Sequence, residues 1–419
     1  MDAVMQAELK RLFETKLNRA MRLYLETCTH CGVCVEACHV WQSMPESKYT
    51  AVGRAEIVRK VFLKYFSLEG RIAPWAGETI ELDDVAVERF YDAAYSCTGC
   101  RRCMVYCPFG IDTQQIMSIA KLLLVGADKE PKLLSMLADM SIAKGEDVES
   151  SSAGFAEAIA NLEPQVEALY PTPAGRKTIP LGVQKADVMF VGLSGAHSIV
   201  PAAAILNAAG INWTLSSFEA VNFGAFMGDP KRTKAIAQRI VAEAERLQAK
   251  RVAIVECGTA YRVMKYQTGE HSFETVAFVE LIAKYLKGGM IRLRRNVDKR
   301  LTYHDPCQVA RNGGIYEAPR FVISKLAQDF VELTPNREYN WCCGGGGGLI
   351  AMGELEFRMK SSRVKMEQVK ATGAGAICTI CENCHTQLTD LNAHYDMGLD
   401  VHSLTMLAAH ALVKPGEKA

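Results

Sequence analysis

Two cysteine runs, "CTHCGVCVEACHV" and "CTGCRRCMVYCPFG", constrain this chain more than any other feature. Cys28, Cys31, Cys34 and Cys38 make the first and Cys97, Cys100, Cys103 and Cys107 the second, each spaced C-x2-C-x2-C-x3-C. That spacing wraps three thiolates around one four-iron cube and sends the fourth cysteine to a neighbouring cluster. The expected ligand sets are therefore crossed: Cys28, Cys31, Cys34 and Cys107 hold one [4Fe–4S] cube, and Cys97, Cys100, Cys103 and Cys38 the other. Zinc or free thiols is the plainer alternative, and two complete runs argue against it. Pro108 follows the last cysteine, as the pattern asks. His39 stands at the matching place of the first run, a departure in backbone detail that leaves the ligand count intact.

The rest of the composition narrows the setting. The chain has 419 residues, 23% of them charged, with a net charge of +1, which gives no basic footprint for nucleic acid. No apolar run reaches the roughly 18 residues of a membrane span. The first residues, "MDAVMQAELKRLFETKLNRAMRLYLE", lack the pattern of a signal peptide and read as one amphipathic helix with Leu9, Leu12, Phe13 and Leu17 on its apolar face. A cytoplasmic protein is expected. In that reducing compartment 15 cysteines imply metal or redox chemistry rather than disulfides.

Four regions follow. Residues 1–125 carry both runs between helical segments, and 126–178 read as a helical linker with "EDVESSSAGF" as an exposed loop. Beyond that, strand-like "ADVMFVG", "RVAIVE", "RLTYHD" and "AICTI" alternate with helix-like stretches, which predicts α/β architecture. The pattern is duplicated. "ADVMFVGLSGAH" parallels "RLTYHDPCQVA", "FEAVNFGAFMGD" parallels "REYNWCCGGGGG", and "RVAIVECGTAYRVM" parallels "GAICTICENCHTQL", at offsets of about 114, 120 and 124 residues. The half-domains expected are 179–290 and 291–419. The fold class is thus α/β plus α-helical, a helical two-cluster domain followed by a pseudo-duplicated α/β domain.

A third cysteine group lies in the second copy: Cys307, the adjacent pair Cys342 and Cys343 before five glycines, then Cys378, Cys381 and Cys384. Adjacent thiolates fit one cube poorly but suit an irregular cluster with a bridging thiolate. Gly344, Gly345 and the glycines after them let the backbone approach sulfur and offer it N–H groups, before a helix expected to open at about Glu354. A vicinal disulfide, a phosphate loop (with no Lys-Ser/Thr after the glycines) and a c-type haem on "CENCH" are the alternatives. His304 and Asp305 are expected to shape the turn before Cys307, or to relay protons. A single cysteine, then CCG, then C-x2-C resembles the CCG domain of the heterodisulfide reductase family. That resemblance implies a non-cubane [4Fe–4S] cluster on Cys307, Cys342, Cys343, Cys381 and Cys384, as the catalytic centre; "CTIC" offers Cys378 as an alternative partner of Cys381. The 58 residues between the two runs point to the helical type of ferredoxin domain.

The first copy keeps one thiol. Leu193 stands for Cys307, Asn222 and Phe223 for the pair, Ala260 for Cys384, and only Cys257 remains, opposite Cys381. One thiol cannot hold a cluster, so this half is read as scaffold. The D-type polypeptide of heterodisulfide reductase and the iron–sulfur subunits of glycolate oxidase and glycerol-3-phosphate dehydrogenase usually carry both copies. One intact copy resembles instead the corresponding subunit of sulfate-reducer membrane complexes. The resemblance implies a subunit on the inner face of the membrane, partnered by a cytochrome b-type subunit and a multihaem cytochrome c, acting on a disulfide or trisulfide carried by a protein or small thiol. The alternative is an electron-transfer subunit of a flavin-dependent hydroxyacid dehydrogenase.

Overall fold

The structure, a computed structural model, describes residues 1–417 except 74, 76, 77, 147, 194 and 256. The chain divides into two compact units. The first comprises 1–138, 223–231 and 341–366; the second comprises 139–222, 232–340 and 367–419.

The first unit is helical. The helix Thr113–Gly126 is buried along most of its circumference and packs against the helices Ala3–Glu14, Ala51–Phe66 and Asp84–Tyr95. Its sequence, "TQQIMSIAKLLLVG", is mostly apolar, with the run Leu122–Val125 suited to a central helix. Side-chain caps start these helices: Asp2, Thr50, Asp83 and Asp112 each accept a backbone N–H of the first turn. The expected single N-terminal helix is instead two. It stops at Glu14 and restarts as Arg19–Glu26 with Asn18 as cap, because Asn18 satisfies the new N-terminus. Leu9 and Phe13 are buried, while Leu12 and Leu17 are only partly covered.

Two four-stranded parallel sheets make the second unit. β1 (Val188–Val191), β2 (Trp213–Leu215), β3 (Arg251–Ile254) and β4 (Glu274–Ala277) pair in the order β2-β1-β3-β4. β5 (Leu301–Tyr303), β6 (Phe330–Val331), β7 (Ala376–Thr379) and β8 (Asp400–Ser403) pair in the order β6-β5-β7-β8, the same topology again. Helix packing repeats the symmetry. The helix after β1, Ala196–Ala208, packs on the one after β8, Leu404–His410, while the helix after β4, Phe278–Lys287, packs on the one after β5, Glu317–Leu326. The four central strands are those the sequence predicts; the four edge strands do not announce themselves in it. "EDVESSSAGF" is not a loop: a helix spans Val148–Ala160, and Asp147 lies outside the described residues. Ala, Glu and Ser without proline sustain a helix there.

Candidate iron–sulfur sites

In the first unit both cysteine runs use the same local device. A residue in the left-handed region, Gly32 (φ 81°) or Arg101 (φ 62°), turns the chain into a short helix, Val33–Glu36 or Arg102–Tyr106. That helix carries the third cysteine of its run, Cys34 or Cys103. One apolar cavity is lined by Cys28, Cys31, Cys34 and Cys107 together with Pro108 and Phe109. Burial pushes the Cys34 thiol up to about 11, with Cys28, Cys107 and Cys31 beside it. Around the second group, Cys103 is raised far above the ordinary thiol range by burial, and its neighbours are Cys100, Cys97 and Cys38. The fourth cysteine of each run thus lies with the other run. Four free thiols gathered at each place are the donor set that an iron–sulfur cube takes, as thiolates.

Cations that the sequence did not flag gather at the second group. Arg54, 2% exposed, donates to Cys38 Sγ at 3.3 Å and to Ser96 Oγ and O at 2.9 Å each. Lys121 is buried over the Tyr95 ring and donates to the carbonyls of Phe226 and Gly347, at 2.7 and 3.0 Å. Burial lowers its pKa to about 8, opposed by the nearby Cys97. Arg54 sits on a mixed helix and gave no signal; a lone lysine inside "IAKLLLVG" could have. A buried positive charge favours the reduced, more negative cluster and so raises its potential. Arg54→Met is expected to lower the potential of the second cube by about 60 mV, a tenfold change in its reduction equilibrium. The first cube should not move in an EPR-monitored titration.

The paired cysteines fall in the first unit. Cys342 and Cys343 are each 2% exposed, and the N–H groups of Gly344 and Gly345 donate to their sulfurs at 3.3 and 3.5 Å. Cys342 also donates to Thr98 Oγ1 at 3.5 Å and is hydrogen-bonded with Cys100, the contact that most raises the Cys100 thiol, to about 11. The glycine loop lies on the backbone of Cys97 and Thr98: a Cβ at Gly347 would stand 2.6 Å from Cys97 O. The helix after the loop opens at Leu349 rather than Glu354. It ends after four residues at left-handed Gly353, and a second helix runs Leu355–Ser361.

Cys307, Cys381 and Cys384 fall in the second unit, all buried. Cys307 follows β5 and Cys381 follows β7, the two central strands, so both lie at the carboxyl ends where strand order reverses and ligands of α/β sheets bind. Cys381 caps the helix Glu382–His394. Its thiol is lowered, first by the hydrogen bond with Cys384 and also by the backbone N–H groups of Cys384, Gly258 and Asn383. Gly258 belongs to the first copy, where Cys257 caps the helix Gly258–Tyr266 as Cys381 caps its own. Burial pushes Cys257 up to about 12, which suits an inert thiol. A Cβ at Gly258 would meet Gln308 Cβ at 2.7 Å and Val309 Cγ2 at 3.0 Å. Gly258→Ala is therefore expected to destabilise the second unit by about 1–3 kcal/mol and to weaken iron retention near Cys381, readable as Tm and iron content.

Cys378 lies fully buried on β7, in register with Tyr303 and His402. Asp305 receives both Arg320 Nη atoms at 2.9 and 2.8 Å and the Arg337 N–H at 2.9 Å, so it fixes the turn. His304 Nδ1 stands 3.2 Å from Asn340 Nδ2, and Asn340 also donates to Asp305 O. These contacts hold the chain just before the cysteine pair.

Comparison with known proteins agrees with this architecture. The 4Fe-4S dicluster domain matches residues 24–111, and the cysteine-rich CCG domain matches 301–389. An Hdr-like menaquinol oxidoreductase iron-sulfur subunit from Archaeoglobus profundus is 26% identical, over 94% of this chain and 81% of its own. The D-type polypeptide of the dihydromethanophenazine:CoB–CoM heterodisulfide reductase from Methanosarcina mazei is 27% identical, over 95% and 97%. A shorter similarity, 28% over 33% of this chain and 20% of its own, links it to an EtfAB:quinone oxidoreductase from Syntrophomonas wolfei. Fold and cysteines together define an iron–sulfur electron-transfer subunit of an oxidoreductase, with two cubane [4Fe–4S] clusters and a CCG-type cluster. In its domains and over nearly its whole length the chain is similar to the CCG-domain iron–sulfur proteins of the heterodisulfide reductase D-type family. Among its described residues no helix is long and apolar enough to cross a membrane.

Proposed function

We propose that this chain is the iron–sulfur subunit of a membrane-associated respiratory complex, of the kind found in sulfate reducers. It passes electrons between a membrane cytochrome b or quinone partner and a disulfide or trisulfide substrate. The observation that carries the reading is the contact of Cys342, first of the paired cysteines, with Cys100 of the second cube's set. A centre that includes Cys342 and Cys343 would then receive electrons through that sulfur–sulfur contact. Bound, the clusters supply one-electron steps, and the CCG-type centre offers iron to substrate sulfur. The chain's own residues bury the thiols, donate N–H groups to them and place positive charge beside the second cube. Cys31 is exposed and Phe109 is 48% exposed at the first cube, so an outside redox partner can approach there. Relatives named for menaquinol and for a heterodisulfide support a quinol-type partner at one end and a sulfur–sulfur bond at the other. We place the subunit peripherally on the inner face of the membrane.

The test is iron and acid-labile sulfide per chain in anaerobically purified protein, followed by reduction of disulfide and trisulfide substrates with a reduced viologen. About 12 irons per chain, from three four-iron clusters, with sulfur-bond cleavage, is the expected result. About 8, from two, removes the third centre and the reading with it. Twelve irons without cleavage would favour a pure relay beside a flavin dehydrogenase.

A further inference from the structure

His39 stands where the cysteine pattern calls for proline, and nothing in the ligand count explains it. It opens the short helix His39–Ser43, with Cys38 as its cap, and is 2% exposed. Its Nε2 has no hydrogen-bond partner among the described residues, and an unpaired buried nitrogen calls for a reason. The ring lies between two sulfurs of different centres. One imidazole nitrogen, Cys100 Sγ and Cys342 Sγ all lie within 4.8 Å of one another.

A second contact fixes this meeting point. Arg102 donates to the carbonyl of Ala37 at 2.8 Å, while its guanidinium stacks 3.4 Å from the ring centroid of Trp341. One buried cation thereby ties the segment entering His39 and the residue entering Cys342 to the short helix of Cys103. Proline at position 39 would keep the turn but place no donor there.

Resting on the three-centre reading above, we propose that His39 is the positioning residue that joins the second cube to the paired-cysteine centre. Its ring N–H serves the Cys100–Cys342 sulfur pair. The hydrogen bond holds the two sulfurs in contact and gives electrons a bonded route between the centres.

The experiment compares the holoprotein with His39→Gln, which keeps an N–H donor, and His39→Met, which matches its length without one. The readouts are iron per chain and the rate, by freeze-quench EPR, at which reduced cubes pass an electron to the third centre. His39→Met is expected to slow this transfer roughly tenfold to a hundredfold, the usual effect of losing a partner of a ligand. His39→Gln should stay within a few-fold of wild type by the same rule. Iron loss confined to His39→Met is a second form of the expected result. Equal rates in fully loaded His39→Met and wild type would overturn the bridge alone, as would iron loss from both variants. Wild-type protein with only the iron of two cubes would overturn the three-centre reading and the bridge together.

Discussion

Cys343→Ala is expected to lower iron from about 12 to about 8 atoms per chain, a loss of about four atoms or one four-iron cluster, while both cubes remain reducible. The two members of the pair are not equivalent. Cys342 is tied to Thr98 and Cys100 of the dicluster module, and it would keep those contacts. Cys343 accepts the Gly345 N–H, lies outside both C-x2-C-x2-C-x3-C runs, and is 2% exposed. Its removal therefore takes a ligand from the third centre alone. Cys378→Ala is the control: that thiol is raised by burial in the middle of β7, and its loss should cost packing but no iron. An EPR signal of the third centre that survives Cys343→Ala at full intensity would strike Cys343 from the ligand set. Iron loss in Cys378→Ala would favour the alternative "CTIC" pair.

What could be read in the sequence was what local spacing encodes. The placing of Cys28, Cys31 and Cys34 with Cys107 follows from the cysteine spacing, while the left-handed Gly32 and Arg101 and the short helices after them come only from the folded chain. β1, β3, β5 and β7 are short apolar runs because they are covered on both faces. Edge strands such as Phe330–Val331 and Asp400–Ser403 are partly exposed, and they escape a periodicity reading. The breaks at Asn18 and Gly353 also have local causes, a side-chain cap and a left-handed glycine, that a run of apolar residues conceals.

Long-range partnership was not legible. Nothing near Arg54 in sequence names Cys38 or Ser96, and nothing near Lys121 names Gly347. Least predictable was the affiliation of residues 223–231 and 341–366. Both are equivalent segments of the two copies, and both leave the α/β unit for the helical one. The duplication was visible, yet the departure depends on surface that only the folded helices present. Phe226 O and Gly347 O, one from each segment, accept from the same Lys121 ammonium. That shared donor explains why the first copy keeps its excursion after losing its thiols: it remains a support for the loop of the second.

The glycines of that loop should then divide by what their missing side chains would meet. Gly347 has φ 72°, and a Cβ there would stand 2.6 Å from Cys97 O and 3.1 Å from Thr98 Cα, both backbone atoms that cannot step aside. Gly353 has nearly the same φ, 74°, with nothing within 4 Å. Gly353→Ala therefore carries only left-handed strain, about 1–2 kcal/mol. Gly347→Ala adds overpacking of about 1–3 kcal/mol and pushes the loop off the strip that holds Cys342 against Thr98 and Cys100. The expected result is a lower Tm for both, and for Gly347→Ala alone a loss of third-centre iron or a slowed reduction of that centre by the cubes. If Gly347→Ala were no worse than Gly353→Ala in iron content and transfer rate, close approach to Cys97 and Thr98 would not be what the five glycines serve. Their role would then reduce to the N–H groups that Gly344 and Gly345 give to the paired sulfurs.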